Sequence, residues 1–144
     1  MKILVINGPN INMLGIREPD IYGAATLSQL EKMVSEYCGG LGIETEFYQS
    51  NHEGDIVDRI QAAYLNTDAI VINPAAYTHT SVAIPDAIKA VGIPAVEVHL
   101  SDVDKREEFR RISYVSPVCI ATVKGKHFKG YIEACDILIK HLEK

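Results

Sequence analysis

Ala69-Ile-Val-Ile-Asn-Pro-Ala-Ala-Tyr-Thr-His-Thr-Ser81 passes in one step from an apolar, β-branched run to a crowd of polar side chains. Ala69–Ile72 has the composition of a strand buried on both faces, and such strands belong to parallel sheets covered by helices. Asn73, Tyr77, Thr78, His79, Thr80 and Ser81 follow at once, and an apolar, helix-competent segment comes next. Polar loops at the carboxyl ends of buried strands are where open α/β sheets hold ligands. An ordinary strand-to-helix loop with Ser or Thr capping the next helix would look the same. The other loops decide between the two.

Outward from this stretch, strand-like runs recur at Ile3–Ile6, Ile43–Tyr48, Ala95–Val98 and Val118–Thr122. Helical patterns lie between them. Thr26-Leu-Ser-Gln29 is a capping box, Leu27, Leu30, Val34, Tyr37 and Cys38 mark one helical face, and Gly39-Gly40 is the expected stop. Further helices are predicted over Gly54–Leu65, over Val82–Val91 with Gly92 behind it, and over the charged segment Asp104–Arg111. The last helix carries Phe128, Ile132, Cys135, Ile139 and Leu142 at spacings of three and four. Strand and helix alternate throughout, which predicts a five-stranded parallel sheet with helices on both faces; the commonest arrangement of such units, a flavodoxin-like α/β sandwich of order 2-1-3-4-5, is the one expected. At 144 residues, one catalytic domain over 1–144 is expected.

A net charge of −5 argues against nucleic acid or an anionic membrane as the partner. No apolar run approaches the roughly 18 residues of a membrane span. The first residues read as a strand, without a signal-peptide layout. Cys38, Cys119 and Cys135 are odd in number and lack metal spacing, so free thiols in a reducing cytoplasm are expected.

In a parallel sheet all the strand carboxyl ends share one edge. That edge here collects Asn10, Asn12, Arg17, Tyr22, His52, Asn73, His79, Glu97, His99 and Ser101. Glu97 and His99 are two apart on a strand and so share a face; a carboxylate beside an imidazole orients the ring and suits it to acid–base work. A metal site using His79 or His52 is the competing reading, but no HxH, HExxH or Cys cluster supports it. The first loop is long, with Gly15 and Gly23 flanking Arg17-Glu-Pro-Asp-Ile-Tyr22, which suggests a lid. A Tyr22 phenolate at pH 7 would cost about 4 kcal/mol; a guanidinium within ~4–6 Å could supply much of that. Asn51-His52-Glu53-Gly54 reads as a helix cap. Which of Arg106, Arg110 and Arg111 turns inward cannot be read from periodicity. Gly8-Pro-Asn-Ile-Asn-Met-Leu-Gly15 is neither a dinucleotide nor a Walker loop, and Asn10, Asn12 and Asn73 stand where a phospho-receiver would need acids.

These loops closely resemble the type II 3-dehydroquinate dehydratases. The resemblance rests on Asn7-Gly-Pro-Asn-Ile-Asn-Met-Leu-Gly-Ile-Arg-Glu-Pro-Asp-Ile-Tyr-Gly23, Gln49-Ser-Asn-His-Glu-Gly54, Ile72–Ser81, Val96-Glu-Val-His-Leu-Ser101 and Arg106-Glu-Glu-Phe-Arg110. It implies dehydration of 3-dehydroquinate to 3-dehydroshikimate through an enolate, in the shikimate or quinate pathway, with no cofactor and no metal. By the same resemblance Tyr22 is the base, kept ionised by Arg17, and His99, paired with Glu97, is the acid. Asn10 would stabilise the enolate through a water. Asn73, His79 and Arg110 would hold ring hydroxyls, and the Leu100 and Ser101 amides the carboxylate. Asp86 would reach a neighbouring subunit's site, and trimers assembled into a dodecamer are implied. Two departures stand out. Asp102 replaces a usual Asn, adding negative charge near the carboxylate site, and His127 takes a glycine position in the turn Lys124–Tyr131. The rival readings are a non-catalytic binding module on the same sheet, and a phospho-receiver or flavin carrier.

Overall fold

A computed structural model describes residues 1–16, 20 and 24–144. Five strands, β1 (Lys2–Asn7), β2 (Glu44–Gln49), β3 (Ala69–Asn73), β4 (Ala95–His99) and β5 (Ala121–Lys124), form one parallel sheet of order β2-β1-β3-β4-β5. The α-helices α1 (Leu27–Gly40), α2 (Glu53–Ala62), α3 (Ala83–Val91) and α4 (Lys129–Leu142) cover it. The expected flavodoxin-like architecture is the one found.

Two cores sit on opposite sheet faces. Ile3, Val5, Val71, Val96 and Val98 pack against Leu30, Val34 and Cys38 of α1 and Tyr131, Cys135 and Leu138 of α4. Leu4, Ile6, Ile70 and Ile72 pack against Ile56 and Ile60 of α2 and Ile84 and Ile88 of α3. All of β1, β3 and β4 beyond Lys2 is buried, as the uninterrupted apolar runs require.

The capping box of α1 forms as read: Gln29 N–H donates to Thr26 Oγ1, and Thr26 N–H to Gln29 Oε1. Four boundaries differ. α1 runs through Gly39 and Gly40, and Gly42 instead takes the left-handed conformation that ends the turn, φ +73°. α2 stops at Ala62, because Leu65 is itself left-handed, φ 67°. The fifth strand begins at Ala121, since Ser116–Val118 is a 3₁₀ turn with Pro117 near its start. Asp104–Arg111 is not one helix; it makes two 3₁₀ turns, Val103–Lys105 and Glu108–Arg111. In α4 the fully buried face is Tyr131, Ala134, Cys135 and Leu138, with Phe128, Ile132, Ile139 and Leu142 flanking it.

Gly8 shows how closely the first loop sits on the end of β3. Its N–H donates to Asn73 O at 2.7 Å, and a Cβ there would lie 2.5 Å from the Pro74 carbonyl oxygen. Only glycine permits that approach. Cys38, Cys119 and Cys135 are free thiols. Among the described residues no helix is long and apolar enough to cross a membrane.

Candidate active site

The carboxyl edge of the sheet opens into a cleft lined by Asn10, Asn73, His79, His99, Leu100, Ser101, Arg106 and Arg110. Of the strand-end residues named from sequence, Asn10, Asn73, His79, His99 and Ser101 converge here, whereas Asn12, His52 and Glu97 are not in the lining. Arg17 and Tyr22, with Glu18, Pro19, Ile21 and Gly23 of the suspected lid, lie outside the described residues.

Asn73 ends β3 and is buried. Its Oδ1 accepts from Ala75 N–H at 3.0 Å, and its Nδ2 donates to Tyr131 Oη at 2.9 Å. Tyr131 donates in turn to Asn7 Oδ1 at 2.6 Å. This chain of neutral groups lies on the α1/α4 face and fixes Asn73 with one Nδ2 hydrogen still available. Burial pushes the Tyr131 phenol up, so it stays neutral. Asn7 Nδ2 has no partner among the described residues.

Glu97 lies on the other face and is wholly buried. His99 Nε2 stands 2.6 Å from Glu97 Oε2, as the two-residue spacing predicts. Thr78 donates to the same oxygen through a very short bond, Ser113 reaches Oε2 at 3.0 Å and Oε1 at 3.1 Å, and Thr122 reaches Oε1 at 3.4 Å. Burial alone would raise this carboxyl; the bonds from His99, Thr78 and Ser113 outweigh it and hold Glu97 below the usual carboxylate range. An ionised carboxylate can only accept, so His99 Nε2 carries a proton and Nδ1 is left to exchange one in the cleft.

His79 packs its Nδ1 2.7 Å from Ile112 O. A carbonyl only accepts, so Nδ1 donates; burial, set against this bond, lowers the ring's proton affinity. At neutral pH His79 thus offers Nε2 as an acceptor. Asn10 is left-handed, φ 69°, and its N–H donates to Asn51 Oδ1 at 3.0 Å, so the segment after Gln49 braces the first loop. His52 is the N-cap residue of α2, although its side chain makes no capping bond. Ser81 does cap: its Oγ accepts from Ile84 N–H at 3.0 Å.

Both Arg106 and Arg110 turn inward, Arg106 at the end of the first 3₁₀ turn and Arg110 within the second. Arg110 is held by Glu107 at 2.7 Å and stacks 5.0 Å over the Phe109 ring. The Leu100 and Ser101 carbonyls accept from His127 and Gly125 N–H at 3.0 and 3.2 Å. The altered turn after β5 therefore supports this segment through main chain alone. His127 adopts φ 51°, the conformation that explains why glycine is usual there. Asp102 Oδ1 accepts from Asp104 N–H at 3.1 Å, so the carboxylate caps a turn and is absent from the cleft lining. Asp86 is exposed on α3, outside this cleft. Among the described residues no group of His, Cys, Asp or Glu is arranged to hold a metal.

Sequence reading missed Thr78's bond to Glu97, Ser113, Thr122 and Tyr131. For the first three the only signal was chemical, since a buried carboxylate at Glu97 requires donors; Tyr131 serves Asn7 and Asn73 instead.

A flavodoxin-like α/β sheet with a caged Glu–His pair at its carboxyl edge defines a class of proteins equipped for acid–base chemistry on a small polar molecule. Within that class, the family model described as Dehydroquinase class II matches residues 1–139, and the chain belongs to that family. A 3-dehydroquinate dehydratase of Clostridium acetobutylicum is 54% identical over 144 residues, covering 100% of both chains. One from Geotalea daltonii is 51% identical over 144 residues, again with 100% of each covered. The crystal structure of a type II dehydroquinase from Butyrivibrio crossotus superposes with a TM-score of 0.94 at 58% identity, covering 96% of this chain and 97% of that one.

Proposed function

We propose that this chain dehydrates 3-dehydroquinate to 3-dehydroshikimate, as a hydro-lyase of the shikimate or quinate pathway working without metal or organic cofactor. The observation that carries the reading is the Glu97–His99 pair, 2.6 Å apart, with His99 lining the polar cleft and Glu97 buried behind it. Tyr22, kept ionised by Arg17, removes a proton beside the ketone, and the electron pair moves into an enolate. Asn10 steadies the enolate oxygen through a water. His99 gives its Nδ1 proton to the departing hydroxyl, which leaves as water while the conjugated double bond forms. Glu97 stabilises the imidazolium beforehand and holds the tautomer throughout. Asn73, His79 and Arg110 hold the ring hydroxyls, and the Leu100 and Ser101 amides the carboxylate. The whole chain, 1–144, acts as one catalytic domain in the cytoplasm. Three such chains form a trimer and four trimers a dodecamer, in which Asp86 completes a neighbour's site.

The test is to mix the protein with 3-dehydroquinate and follow the ultraviolet absorbance of the enone. Tyr22→Phe keeps the ring and removes the base, so turnover should fall by at least ~10²-fold. A Tyr22→Phe protein with near-normal turnover removes Tyr22 from the mechanism. No absorbance change with the native chain removes the activity.

A further inference from the structure

Ser113 lies outside every strand-end loop, yet its hydroxyl sits at the centre of the acid network. The residues on both sides of it are tied to the segment after β3: Ile112 O accepts from His79 Nδ1 at 2.7 Å, and Tyr114 N–H donates to Thr78 O at 2.8 Å. Val115 and Ser116 N–H groups donate to Ser113 Oγ at 3.1 and 3.0 Å. Two donors fill the acceptor capacity of a hydroxyl, so its single proton has to be given away. The acceptors within reach are the two Glu97 oxygens and Thr78 Oγ1, the last at 2.8 Å and itself a donor to Glu97. By either route the polarity of two main-chain amides is delivered to a carboxylate with no exposed surface.

We propose that Ser113 is a positioning residue for this reaction: it sets the charge and orientation of Glu97, and through Glu97 the ring of His99. The inference rests on the reading of His99 as the acid. The groups facing Glu97 are His99 on β4 itself, Thr78 and His79 from the turn after β3, Arg110 and Ser113 from the segment before Val115, and Thr122 on β5; Asp104, Arg111 and Lys124 line the same cavity. Cys119 also lies near enough that burial and the Glu97 charge push its thiol up to about 12. His99 and Thr78 both act on Oε2 and Thr122 on Oε1; among the described residues Ser113 alone spans both oxygens. A hydroxyl placed between the two oxygens adds to the hold that the donors on single oxygens exert on the carboxylate's orientation.

A matched pair of variants separates this role from packing. Ser113→Thr keeps the hydroxyl, Ser113→Val has the same shape without it, and the cavity that Ser113 shares with Ser116 and Thr122 leaves room for the added methyls. Two readouts are taken: the ¹³C carboxyl resonance of Glu97 against pH, and the pH profile of kcat for 3-dehydroquinate. In the Val variant the Glu97 resonance should titrate ~1 pH unit higher, the scale of one hydrogen bond to a charged group. Its kcat below that titration should fall ~10-fold relative to the Thr variant, with KM little changed. The Thr variant should follow the native protein. If the Val variant fails to fold, Ser113→Ala takes its place. A Val or Ala variant titrating with the native protein, or a Thr variant as impaired as Val, overturns the proposal. A native chain with no turnover would defeat the functional reading instead, and the Glu97 resonance would still judge Ser113.

Discussion

Two buried polar networks lie on opposite faces of one sheet and are built from different chemistry. On the α1/α4 face, Asn7, Tyr131 and Asn73 form a neutral chain. On the other face, Glu97 is surrounded by His99, Thr78, Ser113 and Thr122, and a full charge is held out of water. The neutral chain can fix where an amide sits, but nothing in it changes protonation near pH 7. The charged cluster couples its geometry to a proton. Desolvation is what separates their energetics: an amide needs one partner to be tolerated in a core, whereas a carboxylate needs several. The difference teaches that the sheet holds position on one side and proton chemistry on the other, with the cleft where they meet.

The sharpest way to break that division is Glu97→Gln, which keeps the shape and removes the charge. Turnover should fall ~10²–10⁴-fold with binding of a substrate-like inhibitor nearly preserved, read from steady-state kinetics and titration of the inhibitor. The same variant tests the electrostatics. Glu97 is held below its ordinary value of 4.5 in the folded protein, so the unfolded chain binds its proton first as pH falls. Its contribution to stability is complete above that value and is lost as pH drops through the folded one. Acid melts of the native protein should therefore lose Tm more steeply below about pH 4.5 than those of Glu97→Gln. Equal slopes would mean that Glu97 is not held ionised by its cage.

Tyr131→Phe attacks the neutral side. It leaves Asn73 Nδ2 and Asn7 Oδ1 without their shared hydroxyl and should cost ~1–3 kcal/mol in denaturant unfolding. Its kinetic signature should be a raised KM rather than a collapsed kcat, because Asn73 is freed to drift while the acid is untouched. A kcat loss as large as that of Glu97→Gln would erase the distinction between the faces. The smallest effect belongs to neither network. His127→Gly relieves a left-handed residue behind the Leu100–Ser101 segment and should stabilise the protein by up to ~1 kcal/mol, offset in part by the freer unfolded chain. Unchanged or lower stability would mean that the His127 side chain contributes more than its backbone costs.

The parallel sheet was legible because most strands announce themselves locally, in β-branched runs such as Ala69–Ile72 bounded by polar residues, and its order is the commonest one for five such units. The Glu97–His99 contact was legible too, since a spacing of two on a strand dictates a shared face. Tyr131 was not, because its partners Asn7 and Asn73 meet it only after α4 has packed across the sheet, and nothing local in Gly130–Ile132 anticipates that. Ser113 was hidden for a related reason: it follows two 3₁₀ turns that interrupt any period. The same turns defeated the expectation of a helix over Asp104–Arg111.

Gly8 carries a consequence for how the molecule is made. Its amide is bonded to the carbonyl of Asn73, and its missing Cβ leaves the space that the Pro74 carbonyl occupies. That bond joins segments far apart along the chain and needs β1 and β3 to pair, which closes a loop containing α1, β2 and α2. Contacts of such long sequence separation form late, after the entropy of closing the loop has been met. The cleft is consequently the product of near-complete folding, with no local fragment of the chain able to assemble it. The Gly8 amide proton, exchanging with solvent only when that pairing opens, is the natural clock for the event.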